Sequence, residues 1–320
     1  MNLNLDFENC EKKATRDGYG AGIIELAEKN KNVVALTADL TESVRLEKFK
    51  EKFPDRFFQI GIAEQNMVGI AAGLALSGKI PFASTFAVFC PGRSYDQVRL
   101  SVAYSRANVK IASTHAGVTV GEDGASHQML EDIALTRVLP NMTVIVPCDA
   151  EEARKAVHEA AKLNGPVYLR FGREKYPVIT TNKTPFKIGK AEIFKDGKDV
   201  AIIACGVCVI EAMKAAVELE KEKISAMVVN CHTIKPLDKN TIINAAKKTK
   251  AVVTVEEHEV NGGLGSAVAE LLSQECPVKM KIIGVQDKFG ESGKAAELME
   301  FHGLTSKNII KGVKEIVRKK

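Results

Sequence analysis

A few polar side chains in this chain stand in small-residue or glycine-rich surroundings, where they could do chemistry. Glu64 opens a segment, Ile62-Ala63-Glu64-Gln65-Asn66-Met67-Val68-Gly69-Ile70-Ala71-Ala72-Gly73-Leu74-Ala75, that is almost wholly apolar or small after its first residues. The pattern puts Glu64 where a strand gives way to a helix, at the carboxyl edge where parallel sheets hold ligands. A carboxylate favourably placed at a helix N-terminus accounts for it equally well. His115 and His127 bracket Gly121-Glu122-Asp123-Gly124. Either histidine alone is the kind that caps or decorates a surface, but the glycines suit no regular element and argue for a loop shaped around a ligand. Phe86 and Phe89, three apart after a predicted strand, read by themselves as core packing. Arg173 falls at the end of another predicted strand, with Arg170, three residues earlier, as the less favoured substitute. Arg16, Ser43 and Asp39 are unremarkable on spacing alone.

The elements that must position these residues follow from the apolar pattern. Short β-branched runs alternate with amphipathic helical stretches, which predicts α/β architecture with mainly parallel sheets flanked by helices. The expected strands are residues 33–37, 57–62, 81–85, 109–113, 143–146 and 167–171, then 200–204, 226–230, 251–256 and 281–285. Helices over 210–221, 240–248 and 263–272 separate the second series. The turn-rich stretch Thr180-Thr181-Asn182-Lys183-Thr184-Pro185 and the later Lys195-Asp196-Gly197-Lys198 place a domain boundary near residue 190, giving domains 1–190 and 191–320. The apolar helix after Glu64 should be buried, and Gly69, Ala72 and Gly73 would let another backbone approach closely.

Composition excludes several classes. The 320 residues are 45% hydrophobic and 27% charged, as expected of a globular chain with room for two cores. The net charge of +5 lacks a long basic stripe with interleaved aromatics, which argues against nucleic acid and fits a small anionic substrate. Part of the excess comes from the tail Arg318-Lys319-Lys320. No apolar run reaches membrane-helix length, and no signal peptide is visible, so a cytoplasmic protein is expected. Seven scattered cysteines fit free thiols in a reducing compartment. Cys205-Gly206-Val207-Cys208 follows an apolar run and lacks a second CxxC, so it reads as a strand-to-helix turn with buried thiols rather than a metal or redox motif.

Taken in order, the motifs resemble one family. Gly61-Ile62-Ala63-Glu64-Gln65-Asn66-Met67 resembles the glutamate motif of the transketolase pyrimidine-binding domain. Ser84-Thr85-Phe86-Ala87-Val88-Phe89 and Tyr95-Asp96-Gln97-Val98-Arg99 follow. Thr114-His115-Ala116-Gly117, continuing to Ser126-His127-Gln128, resembles the family's substrate loop. Glu256-Glu257-His258 and Gly262-Gly263-Leu264-Gly265 resemble its C-terminal domain. The resemblance runs from Arg16 to about Leu304. The stretch from Cys90 to Ser94 is a residue longer than in some members, and nothing is carried over to it.

The resemblance implies a role for each residue. Glu64 would hydrogen-bond the pyrimidine nitrogen of thiamine diphosphate and exchange the proton that makes the cofactor's amino group basic. Phe89 would stack on the aminopyrimidine with Phe86 beside it, and Asp39 matches a cofactor-side position. His115, Arg173, Arg16 and Ser43 match contacts to a sugar phosphate, while Asp123 and His127 match contacts to sugar hydroxyls. Such a substrate offers both anionic acceptors and neutral hydroxyls to these side chains. No metal ligand is assigned to this chain. The family's Gly-Asp-Gly motif, which with a later Asn holds Mg²⁺ (or Ca²⁺) and the diphosphate, is missing, and Gly121-Glu122-Asp123-Gly124 is not a substitute for it. The resemblance therefore implies the C-terminal half of a split transketolase of the pentose phosphate pathway. It would work with an N-terminal subunit carrying the diphosphate-binding domain and would self-associate as a dimer within a heterotetramer. The corresponding piece of deoxyxylulose-phosphate synthase, or a 2-oxo-acid dehydrogenase beta subunit, is the alternative enzyme reading. A non-catalytic scaffold of the same fold is the alternative outside catalysis.

Overall fold

The computed structural model describes residues 2–317, so Met1 and the basic tail Arg318-Lys319-Lys320 lie outside the described residues. Two sheets organise the chain. The first has seven strands, in the spatial order Thr233–Lys235, Thr143–Ile145, Val167–Arg170, Lys110–Thr114, Ile80–Phe86, Val33–Thr37 and Phe57–Gln59. All its pairings are parallel except that of Thr233–Lys235 with Thr143–Ile145. The second has five, in the order Lys279–Val285, Ala251–Glu259, Val200–Ala204, Ala226–Asn230 and Glu192–Lys195, and only the last pairs antiparallel. Val33–Thr37, Lys110–Thr114, Val200–Ala204 and Ala226–Asn230 are buried at every residue. Burial at every residue belongs to strands covered by helices on both faces, and three of the four are near-continuous apolar runs, Lys110–Thr114 being the exception.

The strand expected over 57–62 stops at Gln59, because Gly61 turns the chain at φ +77° and Glu64 already begins the helix Glu64–Leu76. That helix is only half buried. Met67, Val68, Ala71 and Ala72 face the sheet, whereas Gly69, Gly73 and Leu76 are exposed, with Ile62 just before the helix exposed as well. The sequence supplied an apolar segment, but a single copy of the chain has nothing to lay over its second face. Cys205 and Cys208 sit in the turn between Val200–Ala204 and the helix Cys208–Lys221 as buried free thiols, and burial pushes both well above the ordinary thiol range.

The two sheets are joined by more than the connecting chain. The strand Thr233–Lys235 comes from beyond residue 190, yet it extends the first sheet. Glu152, buried in the helix Ala150–Lys162, accepts from the Asn230 amide at 2.7 Å through Oε1 and from the Cys148 N–H at 2.7 Å through Oε2. Asp149 caps that helix by accepting from Glu152 N–H at 2.8 Å, and also accepts from the N–H groups of Ile179 and Thr180. No helix among the described residues is long and apolar enough to cross a membrane.

Helix Thr15–Lys29 crosses Ala150–Lys162 at a point where only hydrogen fits: a Cβ on Gly18 would lie 1.9 Å from the Ala150 carbonyl oxygen. Gly18→Ala forces the helices apart, and overpacking of this kind costs about 1–3 kcal/mol. Urea unfolding of the variant should show that loss; an unchanged midpoint would mean the helices do not pack this closely.

Candidate active site

Nearly every residue singled out by motif lies at the carboxyl edge of the first sheet. Val33–Thr37 leads to Asp39 and Ser43, and Phe57–Gln59 leads to Glu64. Ile80–Phe86 leads to Phe86 and Phe89, Lys110–Thr114 to His115, and Val167–Arg170 to Arg173. Arg16 arrives from the first turn of Thr15–Lys29, whose start is fixed by the Thr15 hydroxyl accepting from Gly172 N–H at 2.7 Å. Asp39, Arg45 and His115 all turn through left-handed backbone, at φ +58°, +64° and +56°. Such strain in non-glycine residues tends to collect at functional sites.

Aromatic rings line one part of the edge. Phe86 and Phe89 stack with centroids 5.7 Å apart, the His115 ring lies 3.6 Å from Phe86, and His127 meets Phe89 edge-on at 5.7 Å. Glu64 is buried, and its Oε2 accepts from Arg93 Nη1 at 3.0 Å. The Arg93 guanidinium in turn lies over the Phe89 ring, 4.4 Å from its centroid.

Beside the rings is a concentration of positive charge. Arg16 Nη1 donates to His115 Nε2 at 3.3 Å and to the Ser43 carbonyl at 2.9 Å. A guanidinium only donates, so Nε2 accepts and His115 carries its proton on Nδ1, which donates to Thr114 Oγ1 at 2.8 Å. Burial, with Arg16, Arg173, Arg45 and His127 around it, pushes the His115 ring down to about 2, so it is neutral near pH 7. Arg16 is itself lowered by burial and by Arg45, and its Nε is a buried donor with no acceptor. Arg173 donates to the Val120 carbonyl and, at 3.2 Å, to Glu122.

The structure does not bring every candidate together. Asp39 is exposed, its N–H donating to Gln59 Oε1 at 2.7 Å. Asp123 is exposed in the loop, and Arg170 is drawn away from the edge altogether. Buried Arg170 donates to Asp132 Oδ2 at 2.8 Å and to the Glu257 carbonyl at 2.8 Å, while Tyr168 adds a second donor to Asp132.

Three residues to which sequence reasoning gave no individual role shape the site. Arg45 donates to Asp17 at 2.7 Å and adds its charge to the His115 surroundings. Nothing in its sequence context marks it. Glu257, from the second sheet, accepts from Thr119 N–H at 2.5 Å and lies where a Cβ on Gly117 would come within 2.2 Å of its Cδ. Two adjacent acids following the mostly apolar run 251–255 were the available signal for a buried carboxyl with a fixed partner. Gln128 donates to the carbonyls of Val118 and Gly121 within the loop and of Glu291 outside it, at 3.2, 3.2 and 2.9 Å. Among the described residues no group of three or more His, Cys, Asp or Glu side chains could hold a metal.

The depressed His115 ring gives the site a pH signature. An unfolded histidine takes up a proton near pH 6.5, and the folded ring refuses it until about 2, so stability falls as pH drops below 6.5. In phosphate-free buffer, His115→Asn should match the wild type's pH slope above pH 7 and lose less stability below it, by up to about 2 kcal/mol at pH 5. Parallel stability curves for the two proteins would contradict a neutral buried His115.

The arrangement has known counterparts. The profile described as "Transketolase, pyrimidine binding domain" matches residues 11–178, and "Transketolase, C-terminal domain" matches residues 189–309. A Methanocaldococcus jannaschii protein assigned as a transketolase C-terminal section is 49% identical over 311 residues, covering 96% of this chain and 97% of its own. A 6-deoxy-6-sulfo-D-fructose transketolase subunit of Clostridium sp. (strain MSTE9) is 42% identical, covering 99% of each chain. Among solved structures, a split gene transketolase described as an inactive beta4 tetramer superposes with a TM-score of 0.90 at 48% identity, over 95% of this chain and 98% of that one. By both domain matches and by these identities, the chain belongs to the transketolase family.

Proposed function

We propose that the chain is the C-terminal subunit of a thiamine-diphosphate-dependent transketolase. In this reading it transfers a two-carbon ketol unit from a ketose phosphate to an aldose phosphate, as in the pentose phosphate pathway. The observation that carries the substrate side is the buried, acceptor-less Nε of Arg16, set among Arg45, Arg173 and a neutral His115. A phosphate brings the oxygens this cluster lacks, in a geometry suited to guanidinium forks. On the cofactor side the donor set fits: a buried carboxyl next to an aromatic face already engages a flat N–H-bearing group, the Arg93 guanidinium.

Thiamine diphosphate, when bound, supplies the nucleophilic carbon and the electron sink for carbon–carbon cleavage. Glu64 holds a proton at the pyrimidine ring nitrogen, Phe89 with Phe86 covers the ring face and excludes water, and Asp39 lies on the cofactor side. Arg16, Arg173, His115 and Ser43 hold the substrate phosphate. An arriving phosphate that takes Arg16's N–H groups also frees His115 Nε2, and with the Thr114 hydroxyl turned to donate to Nδ1 the ring proton moves to Nε2 and donates to the phosphate. Asp123 and His127 take the sugar hydroxyls. The Mg²⁺ and the diphosphate belong to a partner chain, the N-terminal subunit, and two copies of this chain meet across the open Gly69–Gly73 face within a heterotetramer in the cytoplasm. The relative described as an inactive beta4 tetramer fits a subunit that needs such a partner. The domains of this reading are 1–190, binding the pyrimidine, and 191–320. A sulfonate presents the same tetrahedral oxyanion as a phosphate, and one relative is a sulfofructose transketolase subunit, so the two donor classes should be assayed side by side.

The purified chain should show no ketol transfer at saturating thiamine diphosphate and Mg²⁺, and adding the N-terminal subunit should restore transfer from a ketose phosphate. Robust activity of the chain alone would end the split-subunit reading. A mixture inert toward phosphorylated sugars would end the phosphate assignment. In the active mixture, Glu64→Gln should slow exchange of the thiazolium C2 proton for deuterium by roughly 10²–10⁴, the scale of a positioned acid–base group. An unchanged exchange rate removes Glu64 from the chemistry.

A further inference from the structure

Arg93 lies in the stretch between Phe89 and Tyr95 that carries no role in the reading above. Its Nη1 donates to Glu64 Oε2 at 3.0 Å, and its Cζ stands 4.4 Å from the Phe89 ring centroid. A hydrogen bond to Glu64 and a stack on Phe89 are the two contacts that reading gives to the aminopyrimidine ring. A guanidinium is flat and delocalised with N–H donors in its plane, so it satisfies both at once, as the ring would. Two flat groups cannot lie on the same face of one ring, so the guanidinium over Phe89 and an aminopyrimidine stacked on that face exclude each other.

The surroundings make Arg93 movable and its backbone fixed. Glu64 is 3% exposed, while the Arg93 side chain is 51% exposed, so the guanidinium closes the mouth over a carboxyl set inside. The loop bearing it is pinched at its base, where both the N–H and the hydroxyl of Ser94 donate to the Phe89 carbonyl at 3.2 Å. The Cys90 carbonyl is held by the Ser113 hydroxyl. Only the side chain need rotate, outward into solvent. A buried carboxyl left without a partner is costly, and Arg93 supplies one until a ring arrives.

We propose that Arg93 occupies the pyrimidine seat of the unloaded protein and must swing out before the cofactor ring can engage Glu64. The proposal rests on the thiamine diphosphate reading, and its test separates the two. Seat occupancy lowers apparent affinity by the fraction of time the seat is open, so removing the occupant should raise it on the order of tenfold. The measurement is uptake of thiamine diphosphate with Mg²⁺ by the cofactor-free complex of this chain with the N-terminal subunit. Association is followed by rapid filtration and affinity by calorimetry. Arg93→Met, which keeps an apolar stem and loses the fork, should load faster and bind more tightly. Arg93→Lys should fall between it and the wild type, because a point charge still pairs with Glu64 but does not stack flat. Unchanged or slower loading by Arg93→Met overturns the proposal and leaves the thiamine reading standing. No saturable uptake by any of the complexes overturns both.

Discussion

The site depends on a carboxyl that reaches it from the other sheet. Glu257 holds the Thr119 N–H at 2.5 Å, and its own backbone carbonyl is gripped by Arg170 from beneath. Burial raises the Glu257 carboxyl above its ordinary range, against the pull of Arg170 and of the Thr119 hydrogen bond. Gly117 is left with no room for a side chain. The loop running from His115 to His127 therefore has one allowed path over the sheet edge. That path sets His115 against Phe86 and brings His127 to the rim of the Phe89 ring. A break at Glu257 would be felt at the histidines although it touches neither ring.

Around that fixed loop the charges are left unbalanced. Arg16, Arg45 and Arg173 crowd a histidine that cannot share the charge, and one guanidinium N–H lacks an acceptor. Asp17 and Glu122 restrain Arg45 and Arg173 from the side without filling the centre. Like charges held together in a folded chain are a standing cost, and an anion bound among them would offset it.

Much of this was legible in the residues. Val33–Thr37, Val200–Ala204 and Ala226–Asn230 coincide with the apolar runs because a strand covered on both faces is mostly apolar. Glu64 could be placed at a helix start because the small, apolar run after it begins abruptly. What escaped notice was set by distant partners. The Thr119–Glu257 bond spans 138 residues, and Arg45 matters only because the fold brings Asp17 and His115 to it. Thr233–Lys235 is too short to show alternation and runs into Pro236, so only its pairing with Thr143–Ile145 makes it a strand. The helix after Glu64 misled for the converse reason: composition records that a face is apolar, not which chain covers it.

That borrowed strand has a consequence for how such a chain can be divided. Thr143–Ile145 would be the bare edge of the first sheet without Thr233–Lys235 lying along it, and an uncovered edge invites pairing with other molecules. A gene break or recombination event falling between the two matched domains would separate an edge from its cover and cut the Glu152–Asn230 bond in the same stroke. The connecting segment looks like a natural seam in one dimension, but in three the halves are dovetailed. A cut placed there would leave each half with a surface that the other had covered.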